Sequence, residues 1–317
     1  DLMKLLLLPY VREVILAPSF SEAEFEIYKS NAIERFKINL EKVSFIARKE
    51  FMSAIYEGDH PYGSNVEITD YDKLDINDIR KFYTDNYNLG NCRILASGKI
   101  DESVIAILNN SFGKEVISSN PNKEVQVPSN VIESKSLYIV KENALQSAIR
   151  IGRIFPNKLH KDYYGLQILN TVLGGYFGSR LMHNIREDKG YTYGIGSGIL
   201  SLKNSGYFFI STEVGSDVTK DALSEIYKEI KIIRTVEIPE EELDLVKNYL
   251  LGQLLKSCDG PFNMGEMFEN VHEYGLDYSF YNNYITTIKE ITPKILLALG
   301  VKYFNKSDLT EIVAGKI

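Results

Sequence analysis

Two cysteines in 317 residues, Cys92 and Cys258, make neither a disulfide framework nor a thiolate metal cluster, and both read as buried or idle thiols. Tryptophan is absent. No apolar run approaches the roughly 18–20 residues that cross a bilayer; the longest early one, residues 5–8, ends at Pro9 and suits a core helix. Basic stripes are also missing. With a net charge of −7, the chain has no cationic face for nucleic acid or for an anionic membrane surface. Residue 1 falls inside an expected helix with no basic-then-apolar leader, so any signal peptide is expected upstream, and the compartment stays open between bacterial periplasm and cytoplasm.

What is present is ordinary globular material, 44% apolar and 25% charged, in a chain long enough for two cores. The chain also repeats itself. Residues 74–100 align without a gap onto residues 291–317, each reading as a helix, a turn with Asn88 or Asn305, and a strand ending in Gly-Lys-Ile. Residues 20–29 and 238–247 match at nearly the same offset, each a helix start with acidic residues in its first turn. Two copies of one domain are expected. About 155 residues precede the closing unit of the second copy and about 73 precede that of the first, so the first is expected to lack about 80 residues of opening strands and helices, lying upstream of residue 1.

The expected organisation is a first domain over 1–114, N-terminally incomplete, a polar, proline-broken linker over 115–133, and a complete second domain over 134–317. In the first domain the patterns predict helices at 2–15, 21–38, 40–56, 75–86 and 102–113 and a strand at 92–99. The second pairs strands at 136–142, 146–155, 191–200, 206–214 and 309–315 with helices near 161–173, 179–188, 218–233, 240–257, 263–275, 279–288 and 293–303. Paired strands separated by runs of helices imply an α+β fold, a mostly antiparallel sheet with helices on one face.

The segment 172–198, VLGGYFGSRLMHNIREDKGYTYGIGSG, sets Arg186 at a helix end and Tyr193 near a strand start, with Lys189-Gly190 as the stop between them. A guanidinium and a phenol converging there would donate hydrogen bonds to one carbonyl oxygen and stabilise the oxyanion formed when it is attacked. The plainer alternative is an arginine favoured by the helix dipole beside a strand tyrosine that only packs. Gly194, Gly196 and Gly198 form a GxGxG, but within a strand that opens no helix, which argues against a dinucleotide site. Gly174, Gly175 and Gly178 read as the end of one helix and the start of the next, and His60 to Gly63 as a turn.

The string R-E-D-K-G-Y-T-Y-G, preceded by L-G-G-Y-F-G-S-R-L, resembles the C-terminal-half signature of the insulinase and pitrilysin family of zinc metallopeptidases, which includes the mitochondrial processing peptidases; with the H-P-Y-G at 60–63 the resemblance covers essentially the whole chain. It implies that Arg186 and Tyr193 reach across a clamshell to hold the substrate backbone at a zinc site in the other half, with Tyr191, expected on the same strand face as Tyr193, as the fallback if the register is off by two.

The family's inverted zinc motif, H-x-x-E-H, is absent: no two of His60, His160, His183 and His272 stand within one helical turn. On the helix expected to carry the distal ligand, Tyr28 and Arg35 occupy the two glutamate positions, and an arginine stays protonated and cannot bind zinc. Glu34 is one residue away, which turns a helical side chain by about 100°. No metal ligand or cofactor is therefore assigned to this chain. The resemblance implies the zinc-free, substrate-holding subunit of a two-chain peptidase acting on peptides or unfolded proteins, its partner a homologous zinc-bearing subunit or, alternatively, a second copy of itself. A self-sufficient zinc endopeptidase with its motif upstream and a non-enzymatic scaffold subunit remain as alternatives.

Overall fold

The computed structural model describes residues 2–87, 90, 92–113 and 135–316, with side chains from residue 7 onward. The expected linker, 115–133, lies outside them. The chain divides into two compact units, one of residues 1–37, 66–124 and 259–269, the other of residues 38–65, 125–258 and 270–317.

Every regular element among the first unit's described residues is a helix. It contains α1 (Leu2–Leu16), most of α2 (Glu22–Leu40), α4 (Ile68–Lys73), α5 (Ile76–Asn86) and α6 (Glu102–Phe112). Short α4, absent from the expected elements, is fixed by a capping box in which Glu67 and Asp70 satisfy each other's backbone N–H groups. Phe20 packs edge-on against Tyr83, whose hydroxyl donates to the Ile15 carbonyl at 2.7 Å.

The strand expected at 92–99 does not form: residues 92–97 are irregular, and Ile94 and Leu95 stand exposed. The reason is pairing. Among its described residues the first unit has no other strand, and a strand without a ladder leaves its N–H and C=O groups to water.

The second unit carries one sheet in the order β1-β5-β2-β4-β3, built from β1 (Ser136–Val140), β2 (Gln146–Ile154), β3 (Thr192–Leu202), β4 (Ser205–Gly215) and β5 (Thr310–Gly315). Only β1 and β5 run parallel. β5 is buried along its whole length, and β2 and β4 read as alternating runs whose Ile149, Ile151, Phe208 and Ile210 face the main core. That core is closed by α7 (Tyr163–Asn170), α8 (Thr219–Thr235), α9 (Glu240–Ser257) and α12 (Pro293–Tyr303), which contribute Leu166, Leu169, Ile226, Ile230, Leu243, Val246 and Leu296. A smaller cluster joins Tyr163 to Val271 of α10 (Gly260–His272) and Phe280 of α11 (Ser279–Glu290). The α+β class with a mostly antiparallel sheet is as expected.

One helix stands elsewhere than expected. α3 (Val43–Tyr56), read from sequence as part of the first domain, packs on the opposite face of this sheet, with Ala47, Phe51, Ala54 and Ile55 against Ala148, Ile312 and Ala314. The small side chains of Ala148 and Ala314 let the helix approach, and Tyr56, fully buried, donates to Ser205 Oγ at 2.9 Å. α5 and α12 begin and end at positions 217 apart, and both start on a side-chain cap, Asp75 in one and Thr292 in the other.

Candidate functional site

α7 runs directly into a π-helical turn, Thr171–Gly175, after which Tyr176 is extended and Phe177 and Gly178 turn the chain. A second π-helix follows, Met182–Asp188, closed by the Lys189 N–H bonding to the Asn184 carbonyl at 3.0 Å. Gly190 then adopts φ +66, the left-handed conformation that ends helices, and the Tyr191 N–H returns to the Ile185 carbonyl at 3.0 Å. β3 starts one residue later, with an irregular register between Thr192 and Ile195. π segments are rare and tend to occur where function requires an off-register side chain. Arg186 lies in this one.

The π-helix is held from three sides. Leu181 and Ile185, both fully buried, anchor it in the main core. Arg180 makes a bidentate pair with Glu242 of α9, at 2.8 and 2.7 Å. Asn184 Nδ2 donates to two carboxylates of α8, Glu225 at 2.9 Å and the buried Glu229 at 2.7 Å. The Asn184 bond, and after it Lys228, hold the Glu225 carboxyl below the usual carboxylate range. On the exposed side, His183 meets Glu187 at 3.1 Å, and that contact raises its pKa above the ordinary histidine value.

Arg186 and Tyr193 are together. Arg186 Nε donates to the Tyr193 backbone carbonyl at 2.9 Å, so the guanidinium spans the helix-to-strand turn. Its carbon lies 4.7 Å from the ring centroid of Phe177 and 6.0 Å from that of Tyr193. It forms no ion pair, and its four terminal N–H groups have no protein acceptor among the described residues. Tyr193 is 95% exposed and its hydroxyl is likewise unbonded. The arrangement presents a cation and a phenol O–H side by side to solvent, oriented by a backbone bond and by aromatic stacking.

Tyr191 differs from the expectation that it shares Tyr193's strand face. It precedes β3, is partly buried and packs against the main core, because its N–H is held by Ile185 and the ladder begins beyond it. Phe177 is the site residue that sequence reading passed over. A large aromatic between Gly175 and Gly178, 64% exposed, was the available signal.

Among the described residues, no group of three or more His, Cys, Asp or Glu side chains is arranged to hold a metal ion. Tyr28 and Arg35 both project from α2 into solvent, and neighbouring Glu34 is engaged by Lys37 at 2.8 Å. These donors do not fit a zinc site. No described helix is long and apolar enough to cross a membrane.

Residues 73–250, more than half of the chain, match the family model described as peptidase M16 inactive domain. The chain belongs to the M16 family. This is the insulinase and pitrilysin family whose signature the 172–198 segment resembles. An uncharacterized zinc protease of Mycobacterium leprae is 22% identical over 93% of this chain and 67% of its own length. A protein of Helicobacter pylori named non-peptidase homolog YmxG is 22% identical over 96% of this chain and 71% of its own. Among solved structures, a peptidase M16 inactive domain from Pseudomonas fluorescens superposes with a TM-score of 0.86 at 21% identity, over 98% of this chain and 74% of that one. The chain spans about two thirds of the length of the curated relatives it matches.

Proposed function

We propose that this chain is the substrate-holding, zinc-free member of a two-chain M16 peptidase, working with a homologous zinc-bearing subunit on peptides or unfolded proteins. The observation that carries the reading is the Arg186–Tyr193 pair. A guanidinium tied at Nε to the Tyr193 carbonyl keeps its remaining donors free, next to a free phenol. When a peptide carbonyl is attacked, negative charge collects on its oxygen, and donors already oriented toward that point stabilise the transition state more than the ground state. Arg186 and Tyr193 hold and polarise; the attacking water and the metal that activates it belong to the partner. The family match to an inactive domain and the unsuitable Tyr28 and Arg35 support the division of labour. We also infer that the matched bounds of α5 and α12 reflect two copies of one domain.

Peptide cleavage by the reconstituted pair tests this. Tyr193→Phe deletes one hydroxyl and keeps the ring against Arg186; loss of one such donor is expected to lower turnover by about 100-fold to 1,000-fold with assembly intact. If Tyr193→Phe cleaves at the wild-type rate while Tyr191→Phe does not, the donor is Tyr191. If both are silent, the chain is a non-enzymatic scaffold, the reading favoured by the name of the Helicobacter relative.

A further inference from the structure

A second unpaired guanidinium lies on the α3-bearing face of the sheet. Arg150, on β2, stands in register with Ser211 of β4, and Ser211 with Gly196 of β3. Its guanidinium carbon is 4.7 Å from the ring centroid of Phe209 and 5.6 Å from that of Phe51. Both rings lie where they do because the strands lack side chains beneath them. A Cβ on Gly152 would come within 2.9 Å of Phe51 Cζ, and one on Gly198 within 2.9 Å of Phe209 Cε1. Tyr207, 6.0 Å from Phe209 and 6.2 Å from Phe51 between ring centroids, completes the aromatic surround.

The surround satisfies charge but not hydrogen bonding. Among the described residues Arg150 has no hydrogen-bond or ion-pair partner, and its Nε is buried. Arg48 stands three residues before Phe51 on α3, hence beside it on the helix surface, and acts on Arg150 as a like charge; among the described residues it too lacks a hydrogen-bond or ion-pair partner, its cation–π contact being to Phe45 at 5.6 Å. Glu213, the carboxylate two residues beyond Ser211 on the same strand face, is exposed and forms no ion pair with either. Burial, and after it the neighbouring Arg48, lower the Arg150 pKa, while the Tyr207 phenol sits above its usual range. A desolvated guanidinium with an orphaned Nε and a like charge on the helix that covers it costs stability unless an anion joins it. A guanidinium whose N–H groups lack acceptors is matched by a carboxylate, which can accept two of them at once.

We propose that Arg150 and Arg48 form a carboxylate-binding site for the peptide, selecting segments that carry aspartate, glutamate or a free C-terminus. The proposal rests on the peptide-holding reading above and adds a preference to it. Three fluorescently labelled peptides titrated into the full chain by anisotropy test it: one bearing glutamates with an amidated C-terminus, its glutamine isostere with the same end, and the glutamine isostere with a free carboxylate. The glutamate peptide is expected to bind at least about tenfold more tightly than the amidated glutamine peptide, against the chain's net charge of −7. Arg150→Gln and Arg48→Gln are each expected to erase that difference and leave the glutamine peptide's affinity unchanged. Arg48 is exposed on α3, so its variant reads the site even where Arg150→Gln fails to fold. Tight binding by the free-carboxylate glutamine peptide, lost in the same variants, assigns the site to the chain end. Equal affinities for all three peptides, or a preference that survives in both variants, overturn the site and leave the peptide-holding reading standing. No binding of any peptide overturns both.

Discussion

Asn184→Leu is the substitution whose consequence follows most directly from the geometry. Leucine keeps roughly the volume of asparagine and suits a helix, but it removes both N–H donors that Asn184 shares between Glu225 and Glu229. Glu229 is 8% exposed, so losing a bond to its charged form costs about 1.5–3 kcal/mol. Glu225 has a side chain 19% exposed and keeps Lys228 at 3.1 Å, so its share is about 0.5–1 kcal/mol. The expected loss is about 2–4 kcal/mol, or about 4–16 °C in melting temperature for a unit of this size.

The pH dependence gives the sharper test. Glu225 has a folded pKa below its unfolded value, so its contribution is present above about pH 4.3 and is lost as pH falls through the lower folded value. Removing the Asn184 bond, the largest of its causes, shrinks that contribution. The gap between wild type and variant, measured by urea unfolding followed with circular dichroism, is therefore expected to be widest near pH 7 and to narrow by the Glu225 share, about 0.5–1 kcal/mol, as pH falls through the lower folded value. A gap that widens as pH falls, or one below about 0.5 kcal/mol at pH 7, would refute the assignment of Asn184 as the bridge between the π-helix and α8.

Two further outcomes are expected. Gly152→Ala would drive a methyl into the Phe208 carbonyl oxygen and to within 2.9 Å of Phe51 Cζ, positions that a ladder and a packed ring cannot both vacate. Loss of about 3 kcal/mol or more, read as lost soluble yield or a collapsed melting transition, is expected, and wild-type melting would contradict the packing described. Elemental mass spectrometry on the full-length product is expected to find no stoichiometric zinc; about one zinc per chain retained after mild chelation would favour the self-sufficient endopeptidase instead.

The second unit was legible from sequence because its signals are local. Alternating runs such as QSAIRIGRI and SGYFFISTEVG, and stops such as Lys189-Gly190, depend only on near neighbours. What escaped depends on distant ones. Residues 92–99 carry strand composition, but a strand exists only with a partner, and the first unit has none among its described residues. α3 has an apolar stripe that any sheet would accept, so only tertiary structure says which sheet it covers. The π register of 182–188 leaves no signature in the sequence, since Leu181 and Ile185 keep ordinary helical spacing. A polar residue fully inside that stripe, Asn184, was the available hint of the latch to α8.

The plainer reading of Arg186 can be weighed against its surroundings. An arginine kept only for the helix dipole would place its donors on the orphan carbonyls of its own last turn, and a tyrosine kept only for packing would bury its ring. Arg186 instead donates beyond that turn, to the carbonyl of residue 193, and Tyr193 leaves 95% of its surface in water. Phe177, equally unneeded by the core, stacks on the same guanidinium. Holding a long flexible side chain in one orientation costs up to about 2 kcal/mol of rotamer entropy, and the half-buried Arg186 shares that cost with the exposed Phe177 and Tyr193 without building a core. Such pre-orientation adds little to folding, but it lowers the cost of presenting aligned donors to a carbonyl oxygen, which supports the substrate-holding role over the packing one.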